Sequence, residues 1–319
     1  MKNRVTEILG IDLPLILGPM RLITLGEVAA AFSNSGGFGQ IAASGLSTDR
    51  LRSELKKAKE LTTKPFGVNI PIYRPNAYDA LEIAVETGLK AVTTCAGDPA
   101  KLIGRIKEAG LKVFHKAATV KMAKKAEAAG VDGIIATGFE AGGHVGREWV
   151  TNFCLIPQLS DALKIPIVSA GGVADARGLL AAFALGAEGV EIGTVILSTR
   201  ECQVPDFFKQ LILDAGSDST ILLGKKAMPM RVLRNKAAES IGGPDKSKED
   251  RKLDSQGDKK YVAEEGVDAD NAIMPCGQIS GLIREIKSVK ELLPEMMEKA
   301  QILSSQLRDV FQDKNDSGR

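Results

Sequence analysis

Aromatic residues are scarce in this chain of 319, at 4%, with one Trp and three Tyr. A platform that stacks the bases of a single strand needs several exposed rings, so that class is excluded. An excess of one charge is missing too: 42 Lys and Arg stand against 40 Asp and Glu, a net +2. That balance gives no electrostatic footprint for nucleic acid or for an anionic membrane surface. The four cysteines (Cys95, Cys154, Cys202, Cys276) form no CxxC pair, and there are two histidines. Structural zinc has little ligand material here, and scattered thiols fit a reducing, cytoplasmic setting. No apolar run approaches the ~18 residues of a spanning helix. Residues 1–10 carry Lys2, Arg4 and Glu7 and lack a signal-peptide core. The expected partner is a small-molecule substrate rather than nucleic acid or membrane, and a homodimer is compatible with this composition.

Alternation is what the chain does have. Short apolar runs fall at 15–17, 38–42, 66–70, 91–94, 112–115, 133–136, 167–170 and 189–192. Most are bounded by Gly or Pro, as strands buried on both faces are. Amphipathic stretches lie between them. One at 48–61 opens on Ser47-Thr48-Asp49, and one at 119–129 stops at Gly130. Eight strand–helix units within residues 14–215 predict an α/β fold, a closed (β/α)8 TIM barrel rather than an open doubly wound sheet. The regular alternation ends there. Residues 225–261 are rich in Lys, Asp, Ser and Gly; such a run is a solvated loop or exposed helix face, or else a lid over the barrel mouth. The expected organisation is therefore a barrel from 1–220 plus about 275–319, with a small lid or second domain at about 221–274. Residues 288–309 read as a closing amphipathic helix interrupted by Pro294, and 312–319 as a frayed tail.

Barrels of this kind bind ligands at the C-terminal ends of their strands. After the sixth run comes Gly138-Phe139-Glu140-Ala141-Gly142-Gly143-His144-Val145-Gly146. Its glycines allow close backbone approach to a flat ligand, and His144 is the side chain best suited to proton exchange near neutral pH. After the seventh run, Gly171-Gly172 forms a glycine turn before a helix. After the eighth, Gly193-Thr194 adds a second turn and a hydroxyl. Backbone N–H groups at such positions bind anions, and the pair matches the phosphate cradle that barrels place there. His115-Lys116 ends the fifth run; the lysine is either a rim cation facing a ligand or a partner of some nearby carboxylate, while His115 reads as a packed rim residue. Gly37-x-Gly39-x-x-Ala42 fits a dinucleotide fingerprint, but its glycines precede a strand instead of following one, so Gly36-Gly37 reads as a helix stop. Cys154 and Cys202 have no nearby histidine and read as buried or incidental.

With these residues in place the chain resembles the nitronate monooxygenase (2-nitropropane dioxygenase) family, which includes class II enoyl-[acyl-carrier-protein] reductases and NADH:quinone reductases. The likeness spans nearly the whole chain. It is strongest at Lys64-Pro65-Phe66-Gly67-Val68-Asn69, from Glu140 to Gly146, at 169–178, at 185–194 and at Gly277-Gln278-Ile279-Ser280-Gly281. The resemblance implies an FMN-dependent oxidoreductase with NAD(P)H as a reductant. Carried over by motif, Gly18, Pro19 and Met20 would line the flavin ring, and Asn69 and Lys116 would contact it. The backbone at Ala141, Gly142 and Gly143 would approach FMN. Gly171, Gly172, Gly193 and Thr194 would hold its phosphate, and Gln278 and Gly281 would close over the site. His144 matches the family's active-site histidine, and no metal is implied.

The branches pull apart on particular residues. His115-Lys116 looks like the nitronate monooxygenase and quinone reductase branches, whereas Thr93 to Pro99 and the opening nine residues look closer to the enoyl reductases. Arg21 follows Gly18-Pro19-Met20 where those relatives often carry an apolar aromatic segment, which bears on substrate choice. The leading expectation is flavin-mediated oxidation of alkyl nitronates or NAD(P)H-dependent reduction of a small acceptor. Reduction of an enoyl-thioester or of a quinone stands as the alternative. A sugar-phosphate barrel enzyme without flavin, and a catalytically silent flavin binder, are the readings from other classes.

Overall fold

The computed structural model describes residues 2–224, 228–241, 261–262 and 266–312. Eight parallel strands form one sheet in the order β1-β9-β8-β6-β5-β4-β3-β2. They are β1 (Leu15–Leu17), β2 (Gly39–Ala42), β3 (Phe66–Pro71), β4 (Ala91–Cys95), β5 (Lys112–Ala117), β6 (Gly133–Thr137), β8 (Ile167–Ala170) and β9 (Gly189–Ile192). β1 pairs with β9, and a bridge between Ile16 and Phe38 joins the remaining two ends. Phe38 donates to the Leu15 carbonyl at 2.8 Å, and Leu17 donates to that of Phe38 at 2.9 Å. The sheet therefore closes into the (β/α)8 barrel that the apolar runs predict.

Alternation along the strands decides what fills the barrel. Ile16, Phe38, Ala91, Phe114, Ile135 and Val168 form one buried cluster with Val5, Leu9 and Ile11 of the N-terminal segment. Glycines on neighbouring strands make room for the two rings. A Cβ on Gly67 would lie 2.6 Å from Phe38, and one on Gly133 would lie 2.2 Å from Phe114. Each buried ring contributes about 1.5–3 kcal/mol of transfer free energy. The opening residues form a short helix (Arg4–Leu9) that plugs the base. Asn3 and Thr6 form its capping box, and Gly10 ends it in the left-handed region. Arg4 pairs with Glu188 and pins the plug to the segment before β9.

The helices follow the expected pattern with two departures. The helix at Thr48–Leu61 matches its sequence signals, and the one at Val120–Ala129 is capped by Thr119 and ended by Gly130. After β9, however, only the four-residue helix Thr194–Leu197 follows directly. The outer helix of the eighth unit comes from the C-terminus instead: Val289–Phe311 packs against Ala176–Ala184 and Gly26–Asn34 and fills the gap in the ring. The eighth unit is thus not complete by residue 215. A single turn cannot present a packing stripe, whereas Val289, Leu293, Met296, Met297 and Ala300 do. This helix also runs unbroken through Pro294, held at its start by a Ser288/Glu291 capping box.

A second, three-stranded antiparallel sheet joins two distant parts of the chain, in the order β10 (Thr220–Leu223), β11 (Met230–Leu233), β7 (Gly143–His144). Its shortest strand, two residues long, carries no local sequence signal. Of the charged stretch 225–261, residues 225–227 and 242–260 lie outside the described residues, as do 313–319 of the tail. Among the described residues no helix is long and apolar enough to cross a membrane.

Candidate active site

Above the apolar plug the inner surface of the barrel changes character. Gln40 of β2 donates to the Leu17 carbonyl at 2.6 Å and accepts from Thr93 Oγ1 at 2.5 Å. Asn69 donates to the same Thr93 hydroxyl at 2.9 Å, and Cys95 Sγ approaches Asn69 Oδ1 at 3.6 Å. Gln40 and Thr93 sit on β2 and β4 with β3 between them, so they meet on the inside of the barrel. Lys116 of β5 and Glu191 of β9 form an ion pair, with β6 and β8 between their strands, and this pair too crosses the interior. Burial pushes the Glu191 carboxyl up, with the Lys116 charge opposing, and burial also pushes the Cys95 thiol up. A polar layer thus lies on an apolar one, and it contains Asn69 and Lys116.

Glycine turns form the rim over this layer. Gly18 donates to the Ile192 carbonyl at 2.8 Å, and a Cβ on it would lie 3.1 Å from Gly193 Cα, so the ends of β1 and β9 meet backbone to backbone. Met20 flanks them, its sulfur 3.8 Å from where a Gly193 Cβ would stand. Gly171 and Gly172 have φ of +93° and +78°, a conformation disfavoured for side-chain-bearing residues. A Cβ on Gly171 would press to 2.8 Å on Ala141, whereas at Gly172 and Gly193 the nearest atoms lie at 3.7 and 3.8 Å. Gly171 thus packs tightly on Ala141, whereas Gly172 and Gly193 have ordinary van der Waals neighbours in Glu140 and Met20.

The loop 138–146 is clamped from several sides. The Glu140 carboxylate accepts from Asn152 N at 3.0 and 3.1 Å, at the start of the helix Asn152–Ala162. Asn152 in turn donates to the carbonyls of Ala170 and Gly171 at 2.9 and 2.7 Å. Buried Arg231 donates to the Phe139 carbonyl at 2.9 and 3.2 Å and stacks 4.5 Å over that ring. The closing segment docks on the same loop. Gln278 N donates to the Glu140 carbonyl at 3.0 Å, and Gly277 N donates to Thr194 Oγ1 at 2.9 Å. A Cβ on Gly142 would come within 2.6 Å of Gly277 N. The structure therefore brings Ala141, Gly142, Gly171, Thr194 and Gln278 together. Gly281 differs: its nearest atoms belong to Gly216 and Ser217.

His144 stands on β7, paired with Met230 of the small sheet. Its ring keeps an exposed face, yet surrounding protein holds its pKa below the ordinary histidine range. The backbone at Pro229 and Met228 opposes that shift, and the charge of Arg74 adds to it. His115 is a different case. It is buried, bonded through Nδ1 to Thr94 Oγ1 at 2.8 Å, and pushed down to about 4 by burial. It is a packed residue, as its sequence context predicts. Cys202 is likewise buried, its thiol pushed up to about 11 by burial, and Cys154 is an exposed helix residue.

Backbone strain gathers at the same end. Among the described residues, the non-glycine residues with positive φ are Leu22, Ala96 and Trp149, at +57°, +51° and +56°. They lie in loops following β1, β4 and β7. Such conformations persist where surrounding structure holds them, and functional sites are where they cluster. Sequence reasoning misses Gln40, Glu191 and Arg231. For Gln40 and Glu191 the signal is present: each is the one polar residue within an apolar four-residue strand. For Arg231 there is none, because its partner Phe139 is 92 residues away in sequence.

Comparison with known proteins places this geometry. A family model described as nitronate monooxygenase matches residues 2–299. The (3aS,4S,5R,7aS)-5-hydroxy-7a-methyl-1-oxo-octahydro-1H-indene-4-carboxyl-CoA dehydrogenase of Mycobacterium tuberculosis is 36% identical over 245 residues, covering 76% of this chain and 68% of that protein. A probable nitronate monooxygenase of Staphylococcus saprophyticus is 33% identical over 267 residues, covering 70% of this chain and 75% of that protein. FabK from Thermotoga maritima superposes with a TM-score of 0.92 at 36% identity, over 98% of this chain and all of that one. With the family model matching residues 2–299, the chain belongs to the nitronate monooxygenase family of oxidoreductases.

Proposed function

We propose that this protein is an FMN-dependent oxidoreductase acting on an acyl thioester, with NAD(P)H as its electron partner. The observation that carries the reading is the meeting of two glycine turns and a hydroxyl at adjacent strand ends: Gly171 and Gly172 at positive φ after β8, and Gly193 with Thr194 after β9, backed by Gly18. Its donor set suits a phosphate: backbone N–H groups of two glycine turns at helix starts, with the Thr194 hydroxyl beside them. Gly171, Gly172, Gly193 and Thr194 would hold the phosphate of FMN there. Gly18, Pro19, Met20, Asn69, Lys116, Ala141, Gly142 and Gly143 would border its ring, with Gln278 and Gly281 in the closing segment. FMN, when bound, supplies two-electron transfer.

The chain's own residues supply position and protons. His144, neutral by the direction of its pKa, accepts or donates a proton at an imidazole nitrogen next to the reacting carbon. Phe139, held by Arg231, and Glu140, held by Asn152, fix the loop that carries it. Pairing of β11 with β7 sets Met230 and Arg231 directly against His144 and Gly143, which supports reading the small sheet as a cover over the site. The thioester is favoured by the 36% identity to a carboxyl-CoA dehydrogenase and the near-complete superposition on FabK.

A nitronate is the second reading, favoured by the family model and the Staphylococcus relative. A visible spectrum of the purified protein tests for flavin, and colourless protein that takes up no FMN overturns the proposal. NAD(P)H consumption that requires crotonyl-CoA supports the thioester. Oxygen uptake with propyl nitronate and no NAD(P)H supports the second reading, and consumption that requires a quinone supports neither.

A further inference from the structure

The ion pair between Lys116 and Glu191 is more deeply placed than a rim contact requires. Glu191 is 6% exposed, and the Lys116 side chain 19%. A buried pair of this kind offsets its desolvation cost only if the remaining hydrogen-bonding capacity is used. Here it is not: Glu191 Oε2 is buried and makes no hydrogen bond. Hydrophobic residues would fill the same volume at no such cost, as Phe114 and Ile135 do one layer below. The pair also spans the barrel between strands that are not neighbours, at the level where the apolar plug ends. Asn69 and Cys95 lie beside it, Cys95 within reach of both charges.

A lysine has a flexible four-carbon stem and a compact charge. Alone at this depth it would present a bare cation to whatever lies on the polar layer. Glu191 changes that in two ways: it fixes the ammonium toward β9, and it cancels most of its field. We propose that Glu191 is a positioning residue that holds Lys116 and moderates its charge, so that the floor of the mouth offers a flavin a neutral ion pair in place of a free cation. This rests on the reading that FMN occupies the mouth. A cation beside a flavin favours the reduced, more negative ring over the oxidised one. Glu191 therefore sets the redox poise of the site without touching the reacting atoms.

Glu191→Gln keeps the shape and removes the charge. In purified, FMN-loaded protein it raises affinity for reduced over oxidised FMN about tenfold, read as a midpoint potential about 30 mV higher for a two-electron couple. Lys116→Met/Glu191→Gln, with both charges gone, shows no such rise, because the effect works through the lysine. Should the single variant fold poorly, Lys116→Met alone serves: the buried Glu191 carboxyl then takes up a proton, both charges are gone and the potential stays near that of the wild type. A fall of about 30 mV there would mean that the lysine's charge was not cancelled and overturns the proposal. An unchanged potential in Glu191→Gln overturns the proposal, as does a rise of the same size in the double variant. Wild-type protein that takes up no FMN refutes the underlying reading instead, so the two failures are distinguishable.

Discussion

The base and the mouth of this barrel are built from the same strands, and they differ in what two residues' distance along each strand changes. Gln40 of β2 lies two residues beyond Phe38, which precedes that strand, and Lys116 lies two residues beyond Phe114 on one face of β5. Below, Phe38 and Phe114 pack with Val5 and Leu9 of the plug helix into a sealed apolar layer. Above, Gln40, Thr93, Asn69, Lys116 and Glu191 form hydrogen bonds and an ion pair, and glycine turns replace side chains at the rim. The lower layer supplies stability. The upper one gives some of it up, carrying an unpartnered buried oxygen and strained loops, and it is the layer where the proposed function places the ligand.

That division can be broken from either side. The largest effect is expected at His144: replacing it with Ala should cost ~10²–10⁴-fold in turnover while leaving the flavin spectrum and the melting temperature unchanged. Equal loss of flavin and activity would move His144 from chemistry to structure. At the base, Phe114→Ala should cost about 3–5 kcal/mol in denaturant unfolding, with the KM of the protein that remains folded unchanged. A shifted KM there would show that the two layers are coupled.

His115 tests the outer face of β5. Its pKa is lowered to about 4 in the fold from ~6.5 in the unfolded chain, so the unfolded state binds more protons between those values. Stability should therefore be fully present above about pH 6.5 and fall, by on the order of 3 kcal/mol, as the pH drops towards 4. Denaturant unfolding across that range checks it. The part of the slope due to His115 should vanish in His115→Gln, and an identical slope in that variant counts against the assignment. The smallest effect belongs to Gly171→Ala. The left-handed φ and the 2.8 Å approach to Ala141 should cost about 1–3 kcal/mol. FMN affinity should fall with it, and isothermal titration that finds both unchanged would remove Gly171 from the cradle.

Much of this was legible in the chain. Buried parallel strands are short apolar runs with no polar alternation, so their positions, and hence the strand ends where ligands bind, can be read directly. The glycine turns after the runs at 167–170 and 189–192 are legible for the same local reason, and they are the turns to which the proposed function assigns a phosphate. The small sheet was not legible, because β7 is two residues long and gains its identity only from pairing with β11. The count of eight units within 14–215 did not hold for the last helix, because the long excursion after β9 leaves its place in the ring to Val289–Phe311.

The barrel strands and the glycine turns at their ends were therefore legible in local sequence, since each depends on residue type and on neighbours a few positions away. The ion pair across the lumen, the Arg231 clamp on Phe139 and the seating of Gly277 on Thr194 join residues 75, 92 and 83 positions apart. Only closure of the barrel and docking of the C-terminal segment decide them, because each is a contact between side chains or backbones that the chain brings together after its strands have paired.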